Sequence, residues 1–291
     1  MSSAINRLAI RRELWAASVF GCLIWMTLSC RSADVNWESR HPLSSRIDIQ
    51  CLQDSLGEGA SSLASSRDGR LYVLEPGSWR IKVFQDSGGQ ISEIDLGPGR
   101  YLMAGGALQG MVVLDITRGI LSRYDQQGSR VMATSLGDRQ IDALWLTSSG
   151  EYLFLDGIAG RVMVHNEGLR EIRIWNLKGR GRPQAIAGDP LEGLVAVSYP
   201  HEGRIDTYSL LGVFLESRPF PVRFGEQAIA FDQSGRLWAI GFGDSIVVFQ
   251  FSKSGWQEKA GCRIPGARAL SMAPKDGVLI LGRGTILKLS P

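Results

Sequence analysis

Three carboxylates stand at matching places in the chain. Glu75, Asp115 and Asp156 each follow a short apolar run: Leu71-Tyr72-Val73-Leu74, Met111-Val112-Val113-Leu114 and Tyr152-Leu153-Phe154-Leu155. Carboxylates converging on one axis would hold a hard cation such as calcium. A second role competes. Arg80 and Arg161 follow Glu75 and Asp156 by five residues, a spacing that sets opposite charges across a tight hairpin, where each pair contributes about 0.2–1 kcal/mol. The corresponding later positions, Ser198, Gly241 and Gly282, carry no acid. The hairpin brace is therefore the preferred reading, and no metal site is assigned.

Other chemistry is sparse. The three histidines, His41, His165 and His201, lie far apart in separate segments. A His-ligated metal or a Ser-His-Asp relay needs such groups to converge. No catalytic residue and no cofactor are assigned. Lys178-Gly179-Arg180-Gly181-Arg182 is the densest basic stretch. Its glycines lack phosphate-loop spacing and no helical pattern follows, so it reads as a solvated loop and not a nucleotide cradle. Cys51 and Cys262 are the two cysteines beyond the first 30 residues, and an oxidising compartment would let them pair. No CxxC spacing occurs.

These groups have to be positioned by strands. Turn dipeptides end at Gly69, Gly110, Gly150, Gly193, Gly235 and Gly277, with spacings of 41, 40, 43, 42 and 42 residues. Glycine supplies the positive φ of tight hairpins, and the β-branched and aromatic runs that follow suit strands. A hairpin repeated every 40–45 residues marks the blades of a propeller. The expectation is an all-β, six-bladed β-propeller over residues 44–291. Its sixth blade starts near Arg268 and runs out one strand short at Pro291. The alternating segment 46–52 has no hairpin partner nearby, so this N-terminal strand is expected to complete the last blade and remove an exposed edge.

The N-terminus is of a different kind. Arg7, Arg11 and Arg12 precede an apolar run over 14–28 that ends at Ser29-Cys30. The run is short for a bilayer span and suits a signal sequence. Cys30 at the junction is similar to the lipid-bearing cysteine of bacterial lipoproteins, although Thr27 stands where an aliphatic residue is usual. An uncleaved anchor and ordinary secretion are the alternatives. All three put the rest of the chain outside the cytoplasm, with 31–43 as a tether. The formal charge is +3, and +1 without residues 1–30, which gives no argument for nucleic acid.

The repeats resemble those of NHL-type six-bladed propellers. The likeness is carried by Leu63-Ala64, Asp68-Gly69, Leu71-Tyr72-Val73, Arg80-Ile81 and Phe84, and again by Ile229-Ala230-Phe231-Asp232, Ser234-Gly235 and Leu237-Trp238-Ala239. The resemblance implies architecture more than activity, since such folds serve as receptors, scaffolds, lyases and hydrolases. Its calcium-dependent lactonases use acidic and asparagine ligands in the channel, whereas Asn166 and Asn176 are the only asparagines after residue 40.

The expected function is that of a membrane-tethered protein-binding or accessory subunit of an envelope complex. Its expected partner face holds Trp79, Arg80, Arg118, Arg180, Arg182, Tyr199, Arg204 and Phe242. A propeller enzyme of the lactonase or lyase type, with a metal in the channel, is the alternative.

Overall fold

The computed structural model describes residues 48–290 apart from 54–55, 57–59, 67, 86, 106–109, 148, 190–192, 220–228, 242–244, 253–254, 265, 274–276 and 283–284. It describes their side chains except at 48–49, 53, 241, 245, 247, 249–252 and 255–263. The expectations for the signal segment, Cys30 and the 31–43 tether lie outside the described residues.

Strand β1 (Asp48–Gln53) precedes five runs of four strands and one of three. The first run is β2 (Ser62–Ser65), β3 (Leu71–Glu75), β4 (Arg80–Phe84) and β5 (Gln90–Asp95). The second is β6 (Tyr101–Ala104), β7 (Met111–Asp115), β8 (Ile120–Tyr124) and β9 (Arg130–Ser135). The third is β10 (Ala143–Leu146), β11 (Tyr152–Asp156), β12 (Arg161–His165) and β13 (Glu171–Asn176). The fourth is β14 (Ala185–Gly188), β15 (Leu194–Tyr199), β16 (Arg204–Ser209) and β17 (Phe214–Pro219). The fifth is β18 (Ile229–Phe231), β19 (Arg236–Gly241), β20 (Ser245–Ser252) and β21 (Gly255–Arg263). Last come β22 (Ala269–Met272), β23 (Val278–Leu281) and β24 (Ile286–Ser290).

Each four-strand run forms one antiparallel sheet in chain order. The final three strands take β1 as their fourth, in the order β1-β24-β23-β22. Ile49 sits opposite Leu289, and Cys51 opposite Leu287. The innermost strands follow one another around a circuit, β2, β6, β10, β14, β18, β22 and back to β2.

Burial follows from that ring. The second strand of a sheet is covered on both sides, so it reads as a continuous apolar run; β7 and β11 are buried throughout. In β3, Tyr72 and Leu74 pack toward the second sheet with Met103, Val113 and Tyr124. Leu71 and Val73 pack the other way, against Leu279, Leu281 and Ile286 of the sheet that β1 completes. Four further apolar clusters fill the remaining seams between neighbouring sheets. Fully burying a large apolar side chain stabilises by about 1.5–3 kcal/mol, so these seams are the core. Among the described residues Trp238 is the largest fully buried side chain, and its indole N–H donates to Asp232 Oδ2 at 2.8 Å.

Candidate functional site

Antiparallel order sends successive turns to opposite faces of the ring. One face, here the connector face, carries the turns 76–79, 116–119, 157–160 and 200–203 between second and third strands. It also carries the sheet-to-sheet connectors 96–100, 136–142 and 177–184. The three turn carboxylates lie here and serve their own hairpins. Asp115 Oδ1 accepts the Arg118 backbone N–H at 3.0 Å, and its Oδ2 accepts the Arg118 guanidinium at 3.2 Å. Asp156 Oδ1 accepts the Ala159 N–H at 2.8 Å, and its Oδ2 accepts Arg161 Nε at 3.1 Å. Among the described residues no group of three His, Cys, Asp or Glu side chains is placed to hold a metal ion.

The Glu75–Arg80 brace needs correction. The two residues are direct cross-strand partners. Yet Glu75 Oε1 takes Lys82 Nζ at 2.8 Å, and Arg80 NH1 goes to Glu93 at 3.3 Å. Long side chains on one face of a twisted sheet reach the diagonal neighbour as readily as the opposite one. Two interleaved diagonals thus replace the expected rung.

The charges are layered. Arg118 keeps 54% of its side chain exposed while its partner Asp115 keeps 10%. Arg161 keeps 36% and Asp156 only 6%. Arg182 stands outside Asp142, to which it donates at 2.5 Å. Arg100 and Arg180 are exposed and make no ion pair among the described residues. At these three pairs the carboxylate is recessed and the guanidinium meets the solvent, while Asp138 and Glu202 on the same face are exposed. On the opposite face the order is mixed: at Arg123–Glu167 the carboxylate is 60% exposed and the arginine 28%, whereas at Arg236–Asp232 the arginine keeps 20% and the carboxylate 0%. Exposed Trp79 and Ile158 also lie on the connector face.

Two members of the expected partner face are not at the surface. Tyr199 ends β15 and is fully buried. Pro200 stops the strand after Tyr199, not before it, and alternation turns Tyr199 with Val195 and Val197 into the seam with the third sheet. Arg204 lies over its ring, 3.6 Å from guanidinium carbon to ring centroid, a cation–π arrangement. Arg204 also pairs with Asp206, and its NH2 donates to the Arg180 carbonyl at 2.7 Å. Ser217 donates to Asp206 Oδ1 at 2.6 Å. Asp206 and Ser217 escaped the sequence reading. The period-2 spacing of Arg204 and Asp206 along one strand face was the available signal.

The stretch 178–182 is a strap laid on the fourth sheet, with Lys178 Nζ 5.2 Å over the Phe214 ring and Arg182 held by Asp142. The Lys178 N–H donates to Tyr208 Oη at 3.1 Å, and the Gln184 N–H donates to the Ser198 carbonyl at 3.0 Å. A Cβ at position 179 would collide with the Arg204–Asp206 pair, so glycine is required there for close approach. Burial pushes Tyr199 well above the ordinary phenol range and raises Tyr208.

His165 is buried, 4.9 Å edge-on from Phe154. Burial lowers its pKa; Arg139 adds to that and Glu171 opposes it. His201 sits in the 3-10 turn Pro200–Glu202, with its Nε2 3.4 Å from the Gln184 amide. Phe242 and the Cys262 side chain lie outside the described residues, so the Cys51–Cys262 pairing does too. Among the described residues no helix is long and apolar enough to cross a membrane.

No protein-family model matches the chain, and no curated protein sequence does. Solved structures do match. A gluconolactonase from Xanthomonas campestris is 18% identical, with a TM-score of 0.65 over 84% of this chain and 89% of that one. The virginiamycin B lyase of Staphylococcus aureus is 12% identical, with a TM-score of 0.60 over 84% and 100%. Kuenenia stuttgartiensis hydrazine synthase is 9% identical, with a TM-score of 0.58 over 87% and 98%. The chain is a β-propeller. At these identities the likeness speaks to the fold, and a propeller hosts unrelated activities.

Proposed function

We propose that the chain is a six-bladed propeller, sealed by β1, that binds an acidic surface of another protein through its connector face. The observation that carries this reading is the layering of charge: recessed Asp115, Asp142 and Asp156 beneath outward Arg118, Arg182 and Arg161. Such a face attracts carboxylates, speeds encounter and repels basic partners. Arginine and tryptophan are also the residue types that dominate binding hot spots. We place the propeller outside the cytoplasm, held to a membrane by its N-terminal segment, with lipid on Cys30. The apolar run over 14–28 and the Ser29-Cys30 junction support that placement.

The test is affinity purification of the full-length tagged chain from detergent-solubilised membranes, washed at low and high salt. A stoichiometric protein companion that leaves as salt rises is expected. Recovery of this chain alone contradicts the reading.

A further inference from the structure

Among the described residues, four turns on the connector face between second and third strands are seen in full, and they are built alike. Each spans four residues, and each ends in a left-handed residue just before the third strand. In three blades that residue is glycine: Gly119 at φ 63°, Gly160 at φ 63° and Gly203 at φ 60°. In the first blade it is Trp79 at φ 51°. A bulky residue in this conformation is strained by its Cβ against the neighbouring carbonyl. The turn Pro76-Gly77-Ser78-Trp79 does own a glycine, but two positions earlier, where it does not relieve that strain. Nor does burial compensate. Trp79 is 40% exposed.

Strain and exposure at one residue need a reason outside the fold. The surroundings of Trp79 supply a chemistry. Its carbonyl accepts the Leu96 N–H at 3.0 Å, which fastens the 96–100 connector beside it. At the far end of that connector, the Arg100 N–H donates to Thr117 Oγ1 at 3.1 Å, one residue from Arg118. Trp79, Arg100 and Arg118 therefore form one arc across the first two blades, an aromatic plate followed by two exposed guanidinium groups. We propose that Trp79 anchors an extended, acidic segment of the partner protein, with the plate taking an apolar side chain and Arg100 and Arg118 taking carboxylates. The inference rests on the connector-face reading and specifies the ligand class.

The experiment pans a random twelve-residue peptide library on the full-length chain in detergent, then measures the enriched peptides on variants. The arc predicts a consensus pairing an apolar residue with two or more acids. Trp79→Gly should weaken binding at least tenfold while the thermal midpoint stays equal or rises, because the substitution relieves the left-handed strain. A lowered midpoint for Trp79→Gly assigns the ring to folding and overturns the proposal. Unchanged affinity for Trp79→Gly also overturns it. If Arg100→Glu with Arg180→Glu still abolishes binding in that case, the connector-face reading survives. A library yielding no acidic consensus overturns the proposal, as does Trp79-dependent binding of oligo-uridine in its place, since aromatic plates with arginines also stack bases.

Discussion

The guanidinium of Arg204 covers the buried ring of Tyr199 and, from the same position, closes on Asp206 and the Arg180 carbonyl. One side chain thus ties the strap between blades three and four to the sheet beneath it. Removing it would leave Asp206, which is almost wholly buried, without its cation. Breaking one partner of such a pair costs about 3–5 kcal/mol. Arg204→Ala should lower the unfolding free energy by about that amount in urea titration. Arg204→Lys should recover only part of it, because an ammonium does not reproduce the planar fork.

The strap makes its own demand. Gly179 touches the Arg204–Asp206 pair, which packing holds in place, whereas Gly181 faces the flexible end of Glu202 but has φ +93°. Gly181→Ala should cost about 1 kcal/mol for the left-handed backbone. Gly179→Ala should cost more, about 2–3 kcal/mol, because a crowded site resists added volume. Equal thermal shifts for the two variants would refute the strap geometry.

His165 sets a pH dependence. Its folded pKa is lowered by burial, so the unfolded chain binds the proton more readily. The neutral form's contribution to stability is present above the ordinary histidine pKa of about 6.5 and is lost as pH falls from there toward the folded value. The denaturation midpoint should fall below about pH 6.5. His165→Gln should flatten that slope, which chemical denaturation at pH 5, 6 and 7 would resolve.

The proposed membrane tether makes a localisation prediction. Cys30→Ser should abolish lipid labelling and move the chain from the membrane to the soluble fraction after lysis. Retention of Cys30→Ser in membranes would favour an uncleaved anchor over 14–28.

Much of the fold was legible because turns are local. Gly69, Gly110, Gly150, Gly193, Gly235 and Gly277 all adopt positive φ, as hairpin turns of this kind require. The 166–170 turn shows the limit. Its left-handed residue is Leu169 at φ 62°, not Gly168, and the leucine side chain is buried in the seam with the second blade. Tertiary packing there outweighs the local preference. The site was less legible. Arg118 and Arg204 look equivalent in the chain, yet one is surface charge and the other half of a buried pair. Exposure depends on how the strap and the neighbouring sheet close over a side chain, and no spacing encodes that. Tyr199 was misread for a related reason: Pro-His-Glu-Gly reads as loop, while the tyrosine before it still completes the strand.

The layered charge of the connector face is tested most directly by reversing it without disturbing any pair. Arg100 and Arg180 suit this, since both are exposed and neither makes an ion pair among the described residues. Arg130, exposed on the opposite face, is the control. The occupancy of the co-purified partner should be measured quantitatively for wild type, Arg100→Glu with Arg180→Glu, and Arg130→Glu. The account predicts at least a tenfold loss for the double variant and no change for the control. Equal occupancy across all three, or loss with Arg130→Glu alone, would contradict it.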